Sequence, residues 1–190
     1  MSDFSILCVC TGNICRSPAA ERLLSVALGS EIGVSSAGTL ALVGRRVDSP
    51  MDRLVVLGGG DVSGFTARQL REPMLRRADL VLTMTDAHTG DVIEMWPRAV
   101  RKTFTLGEFA RLLTSIDQSG LPPTTVAERL RAAIPLAAAS RRPVADRTRE
   151  DVVDPYRRAD QVYERAFDDI RAAVASIAAV IVPERQEERL

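Results

Sequence analysis

The residues best suited to chemistry crowd into one short run near the start of the chain, Cys10-Thr-Gly-Asn-Ile-Cys-Arg-Ser-Pro18. A cysteine attacks as its thiolate, and main-chain N–H groups and a helix N-terminus stabilise a negative sulfur. Arg16, six residues beyond Cys10, carries a planar fork that can grip two oxygens of a phosphoryl group. Ser17 can donate a hydrogen bond to the Cys10 sulfur. Gly12 permits close backbone approach or a positive φ, and Asn13 tolerates left-handed backbone while its amide pins the loop.

The flanking residues say how such a run is positioned. Ser5-Ile-Leu-Cys-Val9 is a short apolar run of the kind expected in a buried parallel strand. Pro18-Ala-Ala-Glu-Arg-Leu-Leu24 opens a helical pattern, with proline suited to a first helical position. A turn between strand end and helix start aims its N–H groups inward and leaves an anion-sized hollow at the positive end of the helix.

The run resembles the signature of the low-molecular-weight protein tyrosine phosphatases, in which Cys, any residue, Gly-Asn, any residue, Cys-Arg-Ser-Pro follows the first strand. Every fixed position is matched. The resemblance implies a four-stranded parallel α/β sheet with helices on both faces and a phosphate loop after strand 1. It implies a cofactor-free and metal-free hydrolase with a phosphotyrosine protein or small aryl phosphate as substrate, and the absence of a membrane-spanning or signal-like run leads us to expect a cytoplasmic protein. Cys10 would be the nucleophile, Arg16 the phosphate clamp, and Thr11, Gly12, Asn13, Ile14, Cys15 and Ser17 the remaining loop that binds substrate. Ser36, in Ser36-Ala-Gly-Thr39, would hold Asn13 from behind. Cys15 would pair reversibly with an oxidised Cys10.

The family carries its general acid as a late Asp-Pro pair before the final helix. Val152-Val-Asp-Pro-Tyr156 matches that placement, so Asp154 would protonate the leaving oxygen and Tyr156 would flank the cleft. Asp146 and Asp151 are the nearby competitors. One departure concerns the loop over 40–50, where an aromatic wall is common in the family and this chain offers Leu40, Leu42 and Val43. Stacking on a phosphotyrosine ring is weaker without an aromatic partner.

Composition agrees with a soluble enzyme. At 190 residues with 46% hydrophobic content, the chain suits one domain with a sizeable core. Twenty-five acidic and 25 basic residues cancel, which gives no electrostatic reason to bind nucleic acid or a membrane. No apolar run reaches membrane-spanning length, and the start lacks a signal-like core. The three cysteines all fall within Cys8 to Cys15, which is reactive thiol chemistry rather than a disulfide framework.

Further along, strands are expected near 32–37, 78–84 and 102–106, with helices near 18–28, 50–57, after Asp86, after Gly107, near 125–140 and over 159–182. The region about 116–150 reads as a surface elaboration, and 183–190 as a mobile tail. Gly58-Gly-Gly60 lacks the strand and Lys-Ser/Thr of a nucleotide loop. His88, the single histidine, reads as a surface residue at a helix start, and Arg68 as a solvated arginine at a helix end. Trp96 reads as a core or rim anchor, and Cys8 as a core residue. Three alternatives remain: arsenate reduction, for which later cysteines are missing; phosphoarginine hydrolysis, disfavoured by Ile14 where a small polar residue is expected; and a phosphate-binding module without turnover.

Overall fold

The structure, a computed structural model, describes residues 3–142 and 150–183. Four parallel strands, β1 (Phe4–Cys10), β2 (Ile32–Gly38), β3 (Leu80–Thr83) and β4 (Thr103–Thr105), lie in the order β2-β1-β3-β4. Registers such as Cys8 opposite Ser36 and Leu82 place the carboxyl ends of β1, β2 and β3 side by side. The expected fold class is therefore present.

Side chains of β1 alternate between two apolar layers, as a strand covered on both faces must. Phe4, Ile6, Cys8 and Cys10 enter the larger core, together with Leu80 and Leu82. That core is closed by α1 (Arg16–Leu28), α2 (Ser49–Leu57), α5 (Leu106–Ser115), α6 (Val126–Ala139) and α7 (Asp160–Ile181). Leu7, Val9 and Val81 face the smaller layer, covered by α3 (Glu72–Arg77), α4 (Asp86–Met95) and the 3-10 turn Pro97–Lys102. Trp96 packs at the rim of this layer.

Helix α7 supplies the longest buried stripe, from Tyr163 and Ala166 through Ile170, Val174 and Ile177 to Ile181. Periodicity identifies most of that face. Tyr163 and Phe167 are the aromatic members of the same stripe, and both are buried. Helix α6 begins with a capping box, in which Thr125 and Glu128 satisfy each other's main-chain N–H groups. Its Leu130, Ala133 and Ala137 are fully buried in the larger core, so this stretch of the expected elaboration is a structural layer. Arg129 ties it to the end of α7 by donating to the carbonyls of Val180 and Ile181 at 2.7 and 2.8 Å. The expected tail over 183–190 lies, apart from Pro183, outside the described residues.

Candidate active site

The hollow expected after β1 is built by a hydrogen-bonded chain in the loop's interior. Asn13 has φ +53°, a left-handed conformation, and is wholly buried. Its Nδ2 donates to Ser36 Oγ at 2.8 Å and to Ser17 Oγ at 3.0 Å. Its Oδ1 accepts from the main-chain N–H of Arg68 at 2.9 Å. Ser17 Oγ, already accepting from Asn13, lies 2.9 Å from Cys10 Sγ. Its own hydrogen is thus available to the sulfur. Ser36 in turn donates to the buried carboxylate of Glu21.

Asn13 and Ser17 turn their side chains inward, so only their main-chain groups are available to a ligand in the cleft. The left-handed residue is Asn13 and not Gly12, which has no positive φ and has room for a side chain. The glycine that the loop does require is Gly38 on β2. A Cβ there would lie 2.3 Å from Thr11 O and 3.0 Å from Asn13 N. That close approach lets the Thr39 and Leu40 N–H groups donate to Cys10 O and Thr11 O.

Arg16, 4% exposed, opens α1 and reaches across to the late loop. Its NH1 donates to Val152 O at 3.1 Å, and its NH2 lies 3.1 Å from Asp154 Oδ2. The late loop is anchored before the aspartate. Val152 N–H donates to Met84 O, and Asp86 N–H donates to Asp151 Oδ1. Gly107 leaves space for the neighbouring backbone, since a Cβ there would meet Glu150 O at 2.8 Å. Beyond Val152 the loop opens to solvent. The Asp154 side chain is 55% exposed and accepts from the Tyr156 N–H at 3.3 Å, a turn of the Asp-Pro type. Asp151 is committed to the β3–α4 junction, and Asp146 lies outside the described residues.

A cleft of about 150 Å³ joins these pieces. Cys10, Thr11, Gly12, Ile14, Cys15 and Arg16 form its floor, Leu40 and Leu42 one wall, and Asp154 and Tyr156 the other. Val43 does not line it, although it is exposed. Cys10 is 2% exposed at the bottom. Burial, followed by the nearby Asp48 carboxylate, pushes the Cys15 thiol well up, and burial does the same to Cys8. Both therefore remain thiols at neutral pH. No group of three or more His, Cys, Asp or Glu side chains placed to hold a metal occurs among the described residues.

Two sequence expectations need correction. His88 is not a surface residue: it is 5% exposed, because the first turn of α4 packs beneath the phosphate loop. Its Nε2 lies 2.8 Å from Thr11 Oγ1 and its Nδ1 2.7 Å from Thr85 Oγ1. Arg68 is exposed, as expected, but does not end a helix. It lies in extended chain beside β2, where the isolated bridge from Gln69 to Gly38 holds the segment. There its Nε donates to Ser36 O at 2.7 Å while its N–H holds Asn13.

Sequence reasoning missed a third support. Tyr163 of α7 donates to Asp48 Oδ2, and Asp48 N–H donates to Ile14 O at 2.8 Å. The signal available was the lone tyrosine in the aliphatic stripe of α7, a buried hydroxyl that needs a partner.

The family model for low molecular weight phosphotyrosine protein phosphatase matches residues 5–118. The chain belongs to that family. Among its relatives, the low molecular weight protein-tyrosine-phosphatase Ptp of Acinetobacter johnsonii is 37% identical over 105 residues, covering 55% of this chain and 73% of that one. The crystal structure of the Erwinia amylovora tyrosine phosphatase AmsI superposes with a TM-score of 0.69 at 26% identity, covering 94% of this chain and 93% of that one. The YwlE arginine phosphatase of Geobacillus stearothermophilus superposes almost as well, with a TM-score of 0.67 at 27% identity and coverage of 93% and 91%. The fold alone therefore does not separate the two specificities. Asp154 and Tyr156 lie beyond the segment that the family model matches.

Proposed function

We propose the residue roles by which this low-molecular-weight protein-tyrosine-phosphatase cleaves aryl phosphate monoesters. Cys10 attacks phosphorus and forms the cysteinyl-phosphate as the phosphorus–oxygen bond to the leaving group breaks. Asp154 donates its proton to the departing phenolic oxygen. As a carboxylate it then takes a proton from the water that attacks the thiophosphate, which releases phosphate and returns the Cys10 thiolate. Arg16 and the N–H groups from Thr11 to Ser17 hold the equatorial oxygens, where charge spreads in the transition state. Ser17 stabilises sulfur both as attacker and as leaving group.

One observation carries this reading: the buried arginine that would clamp the phosphoryl group reaches the solvent-facing carboxylate that would protonate the leaving group, Arg16 NH2 to Asp154 Oδ2 being 3.1 Å. A binder without turnover has no need of that carboxylate at the mouth of the cleft. The substrate class follows from the walls. Leu40, Leu42, Ile14 and Tyr156 offer apolar surface to an aromatic ring. Ile14, 3% exposed, offers nothing to hydrogen-bond a guanidinium, which favours a phosphotyrosine protein or small aryl phosphate over phosphoarginine. The test is turnover of 4-nitrophenyl phosphate and a phosphotyrosine peptide beside a phosphoarginine peptide. Hydrolysis of the first two and not the third is expected. Faster cleavage of the phosphoarginine peptide would reverse the specificity, and turnover retained by Cys10→Ser would remove the nucleophile.

A further inference from the structure

His88 is a buried titratable group that the scheme above does not use. Both ring nitrogens meet hydroxyls, Thr11 Oγ1 at 2.8 Å on one side and Thr85 Oγ1 at 2.7 Å on the other. The direction of each bond depends on which ring nitrogen carries the proton. Thr85 Oγ1 caps α4 and already accepts the main-chain N–H of His88 at 3.2 Å. Its one hydrogen can go to His88 Nδ1, and a neutral imidazole that accepts at Nδ1 carries its proton on Nε2. In that tautomer Nε2–H donates to Thr11 Oγ1, and the Thr11 hydroxyl keeps its own hydrogen to give elsewhere. Thr11 follows Cys10 directly and lines the cleft.

We propose that His88 is a positioning residue of the phosphate loop: by occupying the acceptor side of Thr11 Oγ1, it leaves the Thr11 hydroxyl as an additional donor to a phosphoryl oxygen bound above Cys10. The surroundings keep the ring in the state that this requires. Burial first, then the Arg16 guanidinium on α1, draw the His88 pKa down, while Asp91 on α4 and Asp154 on the late loop oppose them; the outcome is about 4. The imidazole is therefore neutral throughout the neutral pH range, which leaves one ring nitrogen free to accept. The relay joins the β3–α4 junction to the loop. The same junction holds the late loop, through Met84 O to Val152 N–H and Asp86 N–H to Asp151. One short segment thus sets both sides of the cleft.

The inference rests on the phosphatase reading of this cleft, and two readouts on the full chain keep them apart: turnover of 4-nitrophenyl phosphate, and equilibrium binding of inorganic phosphate. Thr11→Val and His88→Ala are each expected to lower kcat/KM about tenfold, the usual scale for losing one oriented hydrogen bond, and to weaken phosphate binding severalfold. The double variant should be no worse than either single one, because the two residues act as a unit. Thr11→Ser, which keeps the hydroxyl, and His88→Gln, which keeps an N–H donor, should recover most of the loss, and both remain informative if His88→Ala does not fold. Multiplicative losses in the double variant, or His88→Gln as impaired as His88→Ala in a folded protein, would overturn the proposal. If wild type turns over no phosphate ester, the phosphatase reading fails, and phosphate binding by the same variants still decides the role of His88.

Discussion

The two loops that meet over the cleft are built on opposite plans. The phosphate loop is closed and internally satisfied: Asn13, Ser17 and Ser36 are fully buried, and each polar atom of the Asn13 amide is used. The late loop is anchored to the β3–α4 junction through Val152, and beyond it the Asp154 side chain projects at 55% exposure. The wall facing it is equally open, with Leu40 75% exposed. On the proposed roles, the difference follows from what each loop handles. A phosphoryl dianion has one shape and one charge distribution, so donors fixed in advance lose no energy to reorganisation. Leaving groups vary, and a proton donor that must meet them all belongs on a segment free to adjust.

If that contrast is right, substitutions in the closed loop remove activity towards every substrate, and those in the open one discriminate among substrates. Cys10→Ser is expected to have the largest effect, abolishing turnover of all phosphate esters while phosphate still binds. Asp154→Asn should follow, with kcat lowered about 100- to 10,000-fold for poorly acidic leaving groups such as tyrosine, and far less for 4-nitrophenol. Equal losses on both leaving groups would contradict a general acid. Asn13→Ala should cost about 2–4 kcal/mol in urea denaturation, because buried partners are left unsatisfied, and lower kcat uniformly across substrates.

The acid side of the stability profile tests the buried contact between the halves. The His88 pKa is lowered from its ordinary 6.5 to about 4, so the unfolded chain binds the proton more readily between those values. Stability present above pH 6.5 is then lost as pH falls towards 4, by about 2–3 kcal/mol from this group. Urea midpoints measured across that window should fall more steeply in wild type than in His88→Gln; equal slopes would mean that the ring is not held neutral. The smallest effect belongs to the open wall. Leu40→Tyr should lower KM for an aryl phosphate a few-fold, the scale of about 0.5–1.5 kcal/mol for one aromatic contact, without changing kcat.

The unequal legibility of the two loops has the same origin. The phosphate loop depends on residues close in sequence, and its strand-to-helix setting could be read from Cys10 to Pro18 alone. So could the alternating order of strands and helices, because a parallel sheet covered on both faces needs continuous apolar strands separated by amphipathic segments. Asp154 is marked as a candidate by an Asp-Pro pair placed as in the family it resembles, but its nearness to Arg16 joins positions 138 residues apart and belongs to the tertiary structure. His88, which is buried, and Arg68, which is exposed but ends no helix, carry no local sign of their partners. A histidine at a helix start is surface-like by composition, and only the packing of α4 against β3 and β4, with Thr11 over the ring, takes it out of water. Arg68 supplies a main-chain N–H, which every residue but proline possesses, so its side chain could not announce the role. Local chemistry is written in residue types; which distant polar groups satisfy one another is decided when the layers close and water is removed from between them.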